Sequence, residues 1–257
     1  MAAKRLIGVL TVQDGRLVKS YGYAAWRPAG RLTSALQNLD RWAVDEIVVL
    51  DISRRAGLDP AVLRQISAAR VSTPLAYGGG IRAVADVRTL LDLGCDRFVV
   101  ESMLFGDADG LQAVAGVTGR QALIGSLPVR LEDGVVSLWR PEGDARSPGA
   151  FEPLAAWRDT LRASPVSEFL VTSVPTQGRA GSFPLALLDA LDWLPPGSVI
   201  AHGGLDFTRA HVALGHRGTA AVAFGNLNHE AELAPARFRA AAPRVGVPAP
   251  LRAIRLA

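Results

Sequence analysis

The chain has 257 residues, 49% hydrophobic and 20% charged, with 26 glycines and 16 prolines. Together with a mean hydropathy of +0.21, this suits a single folded domain over 1–257 and excludes a disordered chain. The net charge of +4 comes from 28 basic and 24 acidic residues that alternate along the chain, so no basic stripe with interleaved aromatics suggests a nucleic-acid partner.

The opening segment Met1–Leu10 is followed by Thr11, Gln13 and Asp14. It does not read as a secretion signal, so a cytoplasmic location is expected. No stretch approaches the roughly 18 unbroken apolar residues of a membrane span, so no membrane partner is expected. Strands are predicted at Leu6–Val12, Glu46–Asp51, Leu75–Tyr77, Phe98–Glu101, Ala122–Ser126, Glu168–Thr172, Ser198–Ala201 and Ala220–Ala223. Between them, helical spacing marks Thr33–Ala43, Pro60–Ala69, Ala83–Leu93, Leu111–Val117, Phe151–Ala163 and Leu185–Leu194, with Asp59-Pro60 as an N-cap followed by proline at the first helical position. The run Ile47-Val48-Val49-Leu50 suits a strand covered on both faces.

Eight β/α units in this length point to an α/β fold of the TIM-barrel type, (β/α)8. An open doubly wound sheet would usually begin with a glycine fingerprint, which is missing here. The segment Asp45–Leu50 answers Ser167–Thr172, and Gly79-Gly80-Ile81 answers Gly203-Gly204-Leu205, at offsets of 122 and 124 positions. Two similar half-barrels, roughly 1–120 and 121–235, explain the repeat. The Pro- and Arg-rich residues 243–257 read as a tail or strap.

Gly78-Gly79-Gly80 and Gly203-Gly204 fall where strand C-termini meet the loops of a barrel's catalytic face. Glycine lets backbone N–H groups come close to an oxyanion, so the pair reads as two phosphate cradles for a small phosphorylated ligand. Plain tight turns are the bland alternative. The lone Cys95 and four scattered histidines offer neither a disulfide framework nor metal-ligand spacing, and no cofactor is expected. His211, His216 and His229 are expected at the surface.

Several segments resemble, in register, the cyclase subunit of imidazole glycerol phosphate synthase: Lys4–Ile7 leading into Asp14–Lys19, Val44–Asp51, Tyr77–Ile81 and Glu168–Ser173. They are more closely similar to its paralogues in amidotransferase systems of surface-polysaccharide biosynthesis. The resemblance extends to about Asn226. It implies a barrel that takes ammonia from a glutaminase docked beneath it, with phosphate contacts at Gly79, Gly80, Ser102, Gly178, Gly203, Gly204, Gly225 and Asn226.

The family's two catalytic aspartates are missing. Thr11 and Pro128 stand at those places, and neither exchanges a proton near neutral pH. Glu101 replaces an amide side chain, Gln177 an acid, and His202 a small residue. Asp51, His202 and Lys19 are the remaining catalytic candidates, with Glu101 beside them and Lys19 matching a flexible catalytic loop. At the opposite end, Arg5, Glu46, Arg97 and Glu168 match a charged ring that gates ammonia, and Asp96 matches a glutaminase-facing residue. The bland alternative there is a set of stabilising ion pairs.

The expectation is therefore a barrel without the cyclase acid–base pair, passing ammonia from a glutaminase to an acceptor. That acceptor would be modified by a third enzyme, for example by amidinating a nucleotide sugar. The alternatives are a cyclase or sugar-phosphate isomerase with relocated catalytic residues, and a non-catalytic barrel that binds a phosphorylated metabolite.

Overall fold

The computed structural model describes residues 4–42, 44–53, 55–141 and 149–230, together with 235, 237 and 238. The expected tail at 243–257 lies outside the described residues. Among the described residues, twelve strands run in chain order: β1 (Arg5–Gln13), β2 (Arg16–Tyr21), β3 (Ala25–Gly30), β4 (Glu46–Asp51), β5 (Leu75–Gly78), β6 (Arg97–Val100), β7 (Leu123–Glu132), β8 (Val135–Arg140), β9 (Ala150–Pro153), β10 (Glu168–Ser173), β11 (Val199–His202) and β12 (Thr219–Phe224). The helices are α1 (Leu32–Arg41), α2 (Pro60–Ala69), α3 (Val84–Asp92), α4 (Ser102–Gly106), α5 (Ala108–Thr118), α6 (Arg158–Ala163), α7 (Ala186–Ala190), α8 (Phe207–Gly215) and α9 (Leu227–Glu230).

Eight of the strands form a closed parallel barrel in the order β1-β4-β5-β6-β7-β10-β11-β12. The circle closes where Arg5 pairs with Ala221 and where Glu168 pairs with Ile124. This is the expected (β/α)8 barrel, and all eight predicted strands are present. Successive residues point to opposite faces of a strand. Ile7 and Val9, with Val48, Ala76, Val99, Ile124, Leu170, Ile200, Ala221 and Ala223, fill the interior. Leu6, Leu10, Ile47, Val49, Tyr77 and Phe98 face outward and belong to the larger core that the helices cover. Burying each of these aliphatic side chains contributes about 1.5–3 kcal/mol before the ordering cost is subtracted.

The remaining four strands form two excursions at the top of the barrel. β1 turns back into β2 through Asp14-Gly15, and β7 turns back into β8 through Asp133-Gly134. All four turn residues have positive φ (48° and 72°, 48° and 77°), the geometry of a two-residue hairpin turn matched to strand twist. β3 then pairs with β2, and β9 with β8. The same three-stranded excursion thus follows the first strand of each half. These hairpins correct two expectations. Lys19 sits in strand β2 opposite Arg27 and not on a loop. The helix expected over Phe151–Ala163 begins as strand β9 and a 3-10 turn, and becomes α-helical only at Arg158.

The Asp59-Pro60 start of α2 is as expected, with the Asp59 carboxylate accepting from the Ala61 N–H at 2.8 Å. No helix among the described residues is long and apolar enough to cross a membrane.

Candidate functional site

The floor of the barrel carries a ring of four side chains. Nη1 of Arg5 lies 2.9 Å from Glu46, Nη1 of Arg97 lies 3.2 Å from Glu46, and Nη2 of Arg97 lies 2.6 Å from Glu168. Arg5 also pairs with Glu168, which closes the circle. Each acid thus faces both guanidinium groups, and the charges balance. Burial raises the Glu46 carboxyl, as does the nearby Glu168 charge, against the pull of Arg97 and Arg5. Arg5 is held above its ordinary value: burial alone would lower it, but the hydrogen bond and charge of Glu168, with Glu46 and Asp45, outweigh that. Asp96, expected at this face, is exposed beside Arg97 and accepts from the Leu75 N–H at 2.9 Å.

At the other end, the C-terminal ends of β10, β11 and β12 surround a small cleft. Thr11, Gly178, His202, Gly203, Gly204, Gly225 and Asn226 line it, together with Gln177 and Arg179. Five of the eight residues expected to contact phosphate, Gly178, Gly203, Gly204, Gly225 and Asn226, therefore line this cleft, whereas Gly79, Gly80 and Ser102 sit over the first half. Arg179 is exposed at the edge of this cleft.

The two glycine pairs are built alike. Gly79 and Gly80 have φ of 109° and 71°, and Gly203 and Gly204 have 94° and 90°. A Cβ on Gly79 would lie 2.1 Å from the Asp51 carbonyl oxygen, and one on Gly203 2.7 Å from the Ser173 carbonyl oxygen. Each pair thus packs on the end of the preceding barrel strand, and both conformation and space demand glycine. Ser102 is exposed at the start of α4.

The catalytic candidates separate. Asp51 points outward, its Oδ1 accepting from the Ser53 N–H at 2.9 Å and its Oδ2 lying 3.5 Å from the Tyr77 hydroxyl, so it does not join His202. Thr11 and Pro128 occupy inward positions near the mouth, where neither titrates. Glu101 follows β6 and accepts from the Ser126 hydroxyl at 2.7 Å. His202 is 4% exposed, its Nδ1 lies 3.0 Å from the Thr172 hydroxyl, and burial pushes its pKa down to about 4.

Sequence reasoning missed Tyr23. It follows β2, at φ 60°, and hydrogen-bonds Thr172. Its ring meets Trp139 of β8 edge to face, 5.1 Å between centroids. Burial raises the phenol, with the Glu101 charge adding to it, and the Thr172 bond opposes both. The repeated Asp-Gly turns were the available signal for the hairpin; nothing in the sequence marked Tyr23 itself. His211, expected at the surface, is 3% exposed and stacks on Phe238 at 4.2 Å.

Residues 5–234 match the family described as histidine biosynthesis protein. With that match over most of its length, the chain belongs to the histidine biosynthesis protein family.

Proposed function

We propose that this barrel conducts ammonia from a docked glutaminase to an acceptor at its top face. The observation that carries the reading is the closed ring Arg5–Glu46–Arg97–Glu168 across the barrel floor. A charge-balanced ring has little net field with which to trap ammonium, and it opens by exchanging ion-pair partners. Above it, the walls are Ile7, Val9, Val48, Val99, Ile124, Leu170 and Ile200. Such a lining favours neutral ammonia over ammonium, whose desolvation is costly. Asp96 and Arg97 would sit in the docking face.

The top face supports this division of labour. Thr11 and Pro128 replace the acid–base pair that the resemblance implies, so cyclisation is not the chemistry proposed. The cleft at Gly203, Gly204, Gly225 and Asn226, with Arg179 beside it, would hold the phosphate of a small ligand. The acceptor would belong to a third enzyme, with amidination of a nucleotide sugar as the reaction class.

The test is to purify the tagged protein from its own cells and assay glutaminase activity with and without it. A co-purifying glutaminase that this chain stimulates supports the reading. Absence of any glutaminase makes the ring a set of structural ion pairs and overturns it.

A further inference from the structure

A second pocket opens on the outer side of the barrel wall, between β1, the β2–β3 hairpin, α1 and α9, and it is roomier than the cleft at the mouth. Leu10, Leu17, Ala35, Leu39 and Trp42 form its sides. The three leucines are buried and the other two half-buried, so the wall is apolar and ends on an indole. Along α1 the pocket touches Ser34 and Ala35, then Asn38 and Leu39, then Trp42 at the C-cap. These positions share one helix face, and the pocket follows that face from the first turn to the last.

Two polar features border the same pocket. Arg31, the N-cap of α1, makes no side-chain cap bond, and the first turn carries no acid. The first N–H groups of a helix have no partner within it. With the helix dipole and the Arg31 guanidinium at the rim, they favour an anion. The second feature is independent of the helix. Asn228 of α9 is only 6% exposed and lines the pocket. Its Nδ2 donates to the Phe224 carbonyl, which fixes the orientation of the amide, and its buried Oδ1 has no hydrogen-bond partner among the described residues. A buried acceptor without a donor is costly, so this oxygen marks a place for a ligand N–H.

Both features lie at the upper end of the pocket, because α1 starts where the β1 excursion ends and α9 follows the C-terminal end of β12. The lower end holds only the apolar wall and Trp42. We propose that the pocket binds a free α-amino acid with a large apolar side chain. Its carboxylate lies at the first turn of α1 beside Arg31, its ammonium group donates to Oδ1 of Asn228, and its side chain runs past Leu10 and Leu39 towards Trp42. A simple carboxylic acid would leave Oδ1 unmatched, and a simple amine would leave the helix end unmatched. Ammonia passage and the glycine cradles play no part in this site.

The test is titration of the full chain with L-phenylalanine, whose ring suits the indole, followed by calorimetry and by the NMR signals of the Leu32–Ser34 amides and the Asn228 side chain. The controls are 3-phenylpropanoate, which lacks the ammonium group, and 2-phenylethylamine, which lacks the carboxylate. The amino acid is expected to bind saturably and about tenfold or more tightly than either control. Arg31→Ala and Asn228→Leu are each expected to weaken it by about tenfold, the scale of one charge-assisted hydrogen bond. Ala35→Leu, which fills the groove, is expected to abolish binding. Asn228→Leu also removes the bond to Phe224, so Arg31→Ala, at an exposed position, and the two analogues decide the matter if that variant misfolds. Absence of saturable binding, equal affinity for either analogue, or affinity indifferent to Arg31→Ala would each overturn the proposal.

Discussion

Nη1 of Arg5 and Oε2 of Glu46 meet at 2.9 Å on the barrel floor, and the Glu46 side chain is only 4% exposed. Arg97 holds the other oxygen of the same carboxylate. Removing the acid leaves two guanidinium groups facing Glu168 alone, and breaking such a buried pair costs about 3–5 kcal/mol. Glu46→Ala is expected to lower stability by an amount near the lower end of that range, because Arg5 keeps some contact with water. Urea denaturation checks this, and a change below about 0.5 kcal/mol, typical of surface sites, would show that the ring does not hold together as described.

The buried imidazole gives stability a pH dependence. His202 has its pKa pushed down to about 4, while an unfolded histidine titrates near 6.5. The unfolded chain therefore binds the extra proton between these values, so stability is lost as pH falls from about 6.5 toward 4. His202→Gln is expected to flatten that limb of the stability profile, measured as the urea midpoint at each pH.

A carboxylate, Asp40, acts at lower pH. Burial opposes ionisation of Asp40, but bonds from the side chains and backbone of Thr73 and Ser72 outweigh it and hold the carboxyl below its usual range. The stability it contributes is present above the unfolded value of about 4 and lost as pH falls through the folded one. Asp40→Asn keeps the Oδ1 acceptor but removes its charge, so it should cost up to about 1 kcal/mol at neutral pH and less in acid.

The glycine pairs make a graded prediction. Gly79→Ala puts a Cβ 2.1 Å from the Asp51 carbonyl at φ 109°, whereas at Gly94, φ 88°, nothing lies within 4 Å. Gly94→Ala should cost about 1 kcal/mol from backbone strain alone. Gly79→Ala should cost clearly more, because the strand end must also move. Equal thermal shifts in the two variants would contradict the close packing.

Arg179 separates binding from folding. Arg179→Ala should leave the melting temperature unchanged and weaken inorganic phosphate binding by about tenfold, equivalent to roughly 1.4 kcal/mol, in a calorimetric titration.

The barrel was legible in the sequence because strands buried on both faces leave continuous aliphatic runs such as Ile47–Leu50 and Phe98–Val100. The repeat of Glu46 at Glu168 and of Gly79 at Gly203 made the two halves visible as well. The hairpins were not read, because β2, β3, β8 and β9 mix polar and apolar residues over the barrel top, and only the Asp14-Gly15 and Asp133-Gly134 turns announced them. The Tyr23–Thr172 contact joins residues 149 positions apart, which no local pattern encodes. Asp51 was a reasonable candidate by position at a strand end, but strand alternation turned it toward Tyr77 and away from the mouth.

The central claim, a gated ammonia passage, is tested most directly by the glutaminase turnover of the assembled complex with wild-type protein against Glu46→Ala. The account predicts that the wild-type barrel stimulates turnover and that the substitution reduces this coupling by about tenfold, within the usual range of coupling between sites. Turnover that is indifferent to Glu46, in a complex that still assembles, would contradict it.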